Sequence, residues 1–339
     1  MILRSRWCCL ALCSVMVACG DSTILPVDGD AIPPDLTTGG PELDLAGTHA
    51  PPPDLTSHAL PPDLATAPHA ISLVITIVLE NHDYAEVVGS PNAPYINSLI
   101  KQYGSASNYF DSGSHPSEPN YLYLISGSTQ GDPNDVLPTA KGFPVAGDNL
   151  GNQLQTAGVK WRAYQESMGT PCKLTNSGNY APKHNPFVYF SDIQKSSALC
   201  AAVDVDYSSF AADLAAGTYQ YMWITPNLLD DGHNPTTDPV TGLKGSDAWL
   251  QTELPKIIAS SAFQAGGVLF LTWDEAEGRN GDSKDQIPMI VISPFIKSPG
   301  YTSSQRYDHA SYLATVEDLF KLPRLGAAQQ ARNMLEFIQ

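Results

Sequence analysis

Four short apolar runs constrain this chain more than any other feature. They are ISLVITIVL from Ile71 to Leu79, YQYMWIT from Tyr219 to Thr225, GVLFLTW from Gly267 to Trp273, and IPMIVIS from Ile287 to Ser293. The first is β-branched along most of its length and predicts a strand buried on both faces; the other three also predict strands. Helical spacing is expected in Pro94 to Tyr103, from Ser117 through YLYLISGS, in Asp148 to Ala157, Asp247 to Ser260 and Asp308 to Phe320. Shorter extended pieces are expected at Ser107 to Phe110 and Val159 to Tyr164. Strand alternating with helix predicts an α/β fold, with a central, mainly parallel sheet flanked by helices.

Sheets of this kind bind ligands beyond the carboxyl ends of their strands. Three of the predicted strands end in polar clusters: Glu80-Asn81, Asn227 to Asn234, and Asp274-Glu275. Three carboxylates and an amide oxygen form a hard donor set suited to Ca²⁺, Mg²⁺ or Mn²⁺. One such dyad is most simply a loop cap, but two dyads, each directly after a buried strand, favour a cation site. HPSEPNY, from His115 to Tyr121, puts Ser117 at a helix start, where serine serves as an ordinary cap. The functional alternative is a nucleophile activated by the cation, with the helix N-terminus facing a phosphoryl oxygen. His233 in DDGHN and His309 in YDHAS stand where they could face the sheet's carboxyl end, and His115 lies two residues before Ser117. Each is a structural histidine or a proton donor and phosphate ligand; His82 and His184 rank behind them. Tyr95, Tyr103, Tyr109, Tyr121 and Tyr123 either pack in the core or line a pocket.

The N-terminus has a different character. Arg4 and Arg6 precede an apolar run from Trp7 to Ala18 and then Cys19, which reads as a secretory signal over residues 1–18. Met16-Val17-Ala18-Cys19 is similar to a bacterial lipobox, with Met16 where leucine is usual, so Cys19 is expected to carry lipid. A transmembrane anchor is the alternative, but about a dozen apolar residues fall short of the roughly 20 needed to span a bilayer. Residues 19–69 repeat PPDL at Pro33, Pro52 and Pro61. Proline at that density predicts an extended, disordered tether with a reach of roughly 40 Å. Its His49, His58 and His69 are read as spacer rather than as a metal-binding tail. The expected location is that of an exported bacterial lipoprotein, at the outer membrane, cell surface or periplasm. Residues 70–339 are long enough for one domain with a large core.

The chain has 18 basic and 35 acidic residues, a net charge of −17. That balance repels nucleic acid and makes it an improbable partner, and it means that an anionic ligand needs a local cation. Of six cysteines, only Cys172 and Cys200 lie beyond the signal and the lipidation position. In an exported domain they predict one disulfide, with a Cys-His metal site including His184 as the alternative. Between them runs most of a long excursion, Gly169 to Leu199, expected to cover part of the site.

VLENHDY at Val78, SHPSEPNY at Ser114, PNLLDDGHN at Pro226, LTWDEAEG at Leu271, IPMIVISPFIK at Ile287 and YDHASYLATVEDLF at Tyr307 occur in this order. On these motifs the chain resembles the phosphoesterase family of bacterial and fungal acid phosphatases and phospholipases C, of the alkaline-phosphatase-like superfamily. HPSEPNY is more similar to the acid phosphatase branch, because the phospholipase C branch typically has Thr in the nucleophile position and Arg after Pro-Asn. The resemblance implies an alkaline-phosphatase-like sandwich with one divalent metal ion (Ca²⁺, Mg²⁺, Mn²⁺ or Zn²⁺) held by Glu80, Asn81, Asp274, Glu275 and Ser117. It implies that Ser117 attacks phosphorus through a phosphoserine intermediate and that His233 is the acid or a phosphate ligand. Asn120, His115 and His309 would contact phosphate or substrate. Two positions depart from the family pattern: Asn234 and Glu275 each stand where Asp is frequent. The expected function is release of phosphate from small organic phosphomonoesters. A phospholipase C or phosphodiesterase acting on lipid headgroups, and a non-catalytic lipoprotein binding a phosphorylated ligand, are the alternatives. A serine acyl hydrolase would lack its G-x-S-x-G elbow and leave the acidic dyads unexplained.

Overall fold

A computed structural model describes residues 70–131, 134–233, 239–277 and 285–338. The signal, Cys19, the proline-rich tether with its histidines, and Asn234 lie outside the described residues.

Ten strands are described in chain order: β1 (Leu73–Leu79), β2 (Gly104–Ala106), β3 (Tyr109–Phe110), β4 (Trp161–Gln165), β5 (Asp204–Asp206), β6 (Tyr221–Thr225), β7 (Gly267–Trp273), β8 (Met289–Ile292), β9 (Tyr301–Ser303) and β10 (Tyr307–Asp308). Eight form one sheet in the order β5-β4-β6-β1-β7-β8-β2-β9, while β10 and β3 form a separate parallel pair. Pairing is parallel from β5 to β7 and between β2 and β9; β8 alone runs antiparallel to its neighbours. The expected mainly parallel α/β sheet is therefore the one observed. Every residue of β1, β6, β7 and β8 is buried, which is why their sequences carry apolar residues without alternation.

Register positions the site. In β1, Ile77 is level with Ile224 of β6, and Leu79 is level with Trp273 of β7. The chain therefore leaves three adjacent strands at one edge, and the polar clusters that follow them emerge side by side.

The helices Pro94–Gln102, Ser117–Ser126, Leu150–Thr156 and His309–Phe320 match the expected ones to within a few residues. The helix expected over Asp247 to Ser260 runs instead from Pro239 to Ile258, and a separate one spans Ser261–Gly266. Pro94 opens its helix after Ala93, which has no side chain to cap it, and the cap comes from afar. Asp247 accepts the N–H groups of Ile96 at 2.8 Å and Tyr95 at 3.2 Å, tying this helix to the Pro239–Ile258 helix. His309–Phe320 carries its own capping box, in which Asp308 accepts Ser311 N–H at 3.0 Å. No helix among the described residues is long and apolar enough to cross a membrane.

The Gly169–Leu199 excursion is anchored in the core. Phe187, Val188, Tyr189 and Phe190 are fully buried, and Trp161 and Trp223 pack against Phe187. Cys172 and Cys200 are joined with Cα atoms 5.8 Å apart. This rules out the alternative metal site, since disulfide sulfurs are not thiolate ligands. Tyr109 and Tyr121 are core residues, and Tyr121 stacks on the His184 ring at 5.3 Å.

The disulfide closes a loop of sequence separation 28. Replacing both cysteines, Cys172→Ser with Cys200→Ser, is expected to lower the unfolding free energy by about 3 kcal/mol, measured by urea denaturation. An unchanged midpoint would mean that the buried Phe187–Phe190 run holds the excursion alone.

Candidate active site

Glu80 is the first residue after β1 and is fully buried. Its N–H bonds to the Asp231 carbonyl at 2.8 Å, and Asp274 N–H bonds to the Leu79 carbonyl at 2.9 Å, so backbone bonds knit the three strand ends together. Asn81 follows with φ of 56°, a left-handed conformation that Asn tolerates better than most residues. Its N–H bonds to Asp274 Oδ1 at 3.1 Å and its Nδ2 donates to Glu277 Oε1 at 3.1 Å, which leaves Oδ1 as the free end of the amide. Asp111 fixes the third loop by accepting Ala276 N–H at 2.9 Å, and also accepts Gly113 N–H at 2.7 Å.

Ser117 begins its helix but does not cap it. The N-cap position belongs to Pro116, and the helix has no side-chain cap. The Ser117 hydroxyl instead lies 3.0 Å from Glu80 Oε2 and 3.3 Å from Glu275 Oε1, and the residue is only 1% exposed. The expected nucleophile and both expected dyads thus meet at one point.

Asn120, expected at the phosphate, is fully buried. Its Oδ1 accepts from Ser112 N and Oγ, while Nδ2 donates to the Ser114 carbonyl and approaches Glu275 Oε2 at 3.4 Å. Its place is as a brace between the loop before Ser117 and Glu275. His309 is likewise buried behind the acids. Its Nε2 meets the Asp274 carbonyl at 2.6 Å and its Nδ1 the Tyr109 hydroxyl at 3.0 Å, in full burial. Both ring nitrogens are engaged behind Asp274.

His233 and His115 sit at the site's open side. His233 Nδ1 is 3.6 Å from Glu80 Oε2, with its side chain 33% exposed. His115 Nδ1 is 2.7 Å from Glu275 Oε2, and its Nε2 is 3.3 Å from Asp285 Oδ1. The hydrogen bond to Glu275 raises His115 to about 9, and the Glu80 carboxylate beside it raises His233.

Two residues of the excursion and one of the β6 loop were not assigned to the site by the sequence. His184 is buried with Nε2 3.3 Å from Glu80 Oε1 and Nδ1 3.5 Å from Asp231 Oδ2. Asp231 is fully buried and accepts His233 N–H at 2.8 Å. Lys183 bonds Asp135 at 2.6 Å, and its charge acts on Glu80 and Asp274. The strand-end rule could have found Asp231, which lies inside PNLLDDGHN; nothing in the spacing of Lys183-His184 pointed to the site.

The electrostatics are those of crowded acids. Burial pushes Glu80 up, but His184, His233 and Lys183 outweigh it and hold the carboxyl at about 2. Burial, followed by the charges of Glu80 and Glu275, drives Asp274 well above its ordinary value; burial, then Glu80, does the same to Asp231. Burial also raises Glu275, although the hydrogen bond from His115 opposes it. Buried Asn81 Oδ1 and Asp274 Oδ2 have no hydrogen-bond partner among the described residues, and Glu80 Oε1 has only the His184 ring at 3.3 Å. Leaving such an atom unpaired costs on the order of 1–3 kcal/mol, more when it is charged. These three oxygens beside Ser117 fit a divalent cation, and Glu80, His184 and His233 lie close enough together to add nitrogen ligands.

A family model, the phosphoesterase family, matches residues 89–323. The chain belongs to this family. It is 31% identical to a phosphatidylinositol-3-phosphatase of Mycobacterium tuberculosis over 79% of this chain and 83% of that protein. It is also 29% identical to a probable acid phosphatase of Kluyveromyces lactis, over 77% of this chain and 61% of that protein, and 22% identical to the non-specific phospholipase C6 of Arabidopsis thaliana, over 68% and 47%. The chain thus spans less than two thirds of these fungal and plant relatives. A Vibrio parahaemolyticus protein of the alkaline phosphatase superfamily superposes with a TM-score of 0.57 at 12% identity, covering 78% of this chain and 70% of that one; it shares the fold. With phosphatase-named relatives in its family, this phosphoesterase is a phosphoric-ester hydrolase.

Adding Ca²⁺, Mg²⁺, Mn²⁺ or Zn²⁺ to chelator-treated phosphoesterase should raise its melting temperature. A free ion at 100 times its dissociation constant adds about 2.7 kcal/mol. Most of the gain should vanish in Asp274→Asn, measured by calorimetry without any substrate.

Proposed function

We propose that this phosphoesterase is a metal-dependent, acid-phosphatase-like phosphomonoesterase working through a phosphoserine on Ser117. The observation that carries the reading is the Ser117 hydroxyl, buried against Glu80 and Glu275 rather than capping its helix. Glu80, Asn81, Asp274 and Glu275, with Ser117, would hold one divalent cation, which supplies positive charge for the phosphoryl oxygens and for the serine oxygen as it loses its proton.

The chain's own groups do the rest. The Ser117 hydrogen faces the Glu80 and Glu275 carboxylates, which fix the direction of the Oγ lone pairs, and Glu275 receives the proton as the Oγ–P bond forms. His233, at the open side, protonates the departing alcohol oxygen as its bond to phosphorus breaks. Water then attacks the phosphoserine: its proton goes to His233, its oxygen bonds to phosphorus as the Oγ–P bond breaks, and the proton held by Glu275 returns to Ser117 Oγ. Asn120 and His115 brace Glu275, His309 braces Asp274 through its carbonyl, and Asp231 holds His233 by its N–H.

The reading includes export. A signal over residues 1–18, lipid on Cys19 and a tether up to residue 69 would leave residues 70–339 as a catalytic domain outside the cytoplasm, reached by small organophosphates or lipid headgroups. Met16 to Cys19 and the Cys172–Cys200 bond support it. Cells expressing the protein should incorporate labelled palmitate into it, and Cys19→Ser should abolish the label.

The activity is tested with p-nitrophenyl phosphate and p-nitrophenylphosphorylcholine, each with and without chelator. Chelator-sensitive turnover of the monoester, reduced on the order of a thousandfold or more in Ser117→Ala, is expected. Preference for the diester would make it a phospholipase C or phosphodiesterase. Binding of phosphate without turnover of either ester would make it a binding protein.

A further inference from the structure

A cavity of about 380 Å³ lies beside the site, lined by Asp135, Val136, Leu137, Ala181, Pro182, Lys183, Asn176 and Leu228. Its walls are chemically tied to the catalytic groups. Asp135 Oδ1 accepts the N–H of Glu118, the residue after Ser117, at 3.0 Å. Lys183 precedes His184, whose ring lies 3.3 Å from Glu80. Leu228 belongs to the β6 loop that continues to Asp231 and His233, and its N–H is held by the Asn179 carbonyl at 3.0 Å.

The cavity is also preformed. Glu118 Oε2 accepts Val136 N–H at 2.7 Å and the Tyr189 hydroxyl donates to the Val136 carbonyl at 2.6 Å, so this wall is pinned from both sides. Its volume is within the range of small-molecule sites, roughly 300–1,000 Å³. Five of its eight lining residues are apolar. Lys183 and Asp135, the two charged residues that line it, are paired with each other at 2.6 Å. Leu137 lines the cavity and is 40% exposed, so this apolar wall is reached from solvent.

We propose that this cavity binds the organic half of the substrate and selects phosphomonoesters of compact apolar alcohols over those of polyols. The proposal rests on the phosphomonoesterase reading, with the phosphoryl group at Ser117. A hydrocarbon skeleton gains from leaving water against Val136, Leu137, Ala181, Pro182 and Leu228, whereas a polyol would lose hydrogen bonds to water that a paired Lys183–Asp135 and one amide, Asn176, cannot replace.

The test uses the full-length protein with 2-phenylethyl phosphate and glycerol 1-phosphate, both esters of primary alcohols, so that leaving-group chemistry is matched. The wild type should favour the phenylethyl ester at least about tenfold in kcat/KM, the scale on which an apolar pocket discriminates. Leu137→Gln and Leu228→Gln, at exposed and half-buried positions, should each bring that ratio towards one. A wild-type ratio near one, or a ratio unmoved in both variants, overturns the proposal. Binding of 2-phenylethanol to Ser117→Ala, followed by saturation-transfer NMR, separates the pocket from the chemistry. If neither ester is hydrolysed but the alcohol binds and both leucine substitutions weaken it, the hydrolase reading fails and the apolar pocket stands. No binding, or binding indifferent to both substitutions, overturns the pocket whatever the activity.

Discussion

A fully buried carboxylate at the end of a fully buried strand is the constraint around which this domain is organised. Taking a carboxylate out of water costs several kcal/mol unless partners replace the lost solvation. Glu80 has them from three directions: the Ser117 hydroxyl from a helix start, His184 from the excursion, and His233 from the β6 loop. Lys183 adds its field from just behind His184. Each of these segments is held in the core by its own packing, so the residues that keep Glu80 charged are fixed before any substrate arrives.

Asp274, Glu275 and Asp231 show the opposite balance. They crowd the same edge of the sheet, and burial, with the charge of Glu80, lifts all three. A fold that needed only stability would place apolar residues there. The parallel register of β6, β1 and β7 makes the crowding unavoidable once each strand is followed by acids, because adjacent parallel strands deliver their loops to the same edge. One cation would relieve the repulsion and coordinate the oxygens of Glu80, Asn81 and Asp274 together.

Much of this was legible in the sequence, and the limits have physical causes. β-branched, unbroken apolar runs announce strands buried on both faces, so β1, β6, β7 and β8 could be read directly, and with them the acids at their ends. Short pieces such as β2, β5, β9 and β10 have only two or three residues. Their pairing is decided by neighbours far away in the chain, which no local pattern records. The start of the helix at Pro239 was missed because the segment PVTGLKG has little helical periodicity of its own. His184 was undervalued for a similar reason: it sits in a stretch rich in Asn, Pro and Gly, and only the burial of Phe187 to Phe190 turns that stretch inward. His309 shows the converse case. A histidine at a helix start beside a strand end looks exposed in sequence, yet the Tyr109 hydroxyl and the Asp274 carbonyl account for both its nitrogens.

The surroundings of Ser117 show how a structure separates two meanings of one residue. A serine at a helix start can satisfy the helix's own N–H groups, and in sequence that is the simpler reading. Here the N–H of Glu118 is satisfied by Asp135, from a different loop, which leaves the serine hydroxyl free of that duty. Its hydrogen turns towards two carboxylates instead, one from β1 and one from β7. A chain with a net charge of −17 could not offer an anion this edge without local positive charge. Lys183, with His115 and His233 on the open side, supplies part of it, and the unpaired oxygens beneath Ser117 mark where the remainder would sit. The acids that make the surface repellent to phosphate are, at this one place, the means of gathering the charge that binds it.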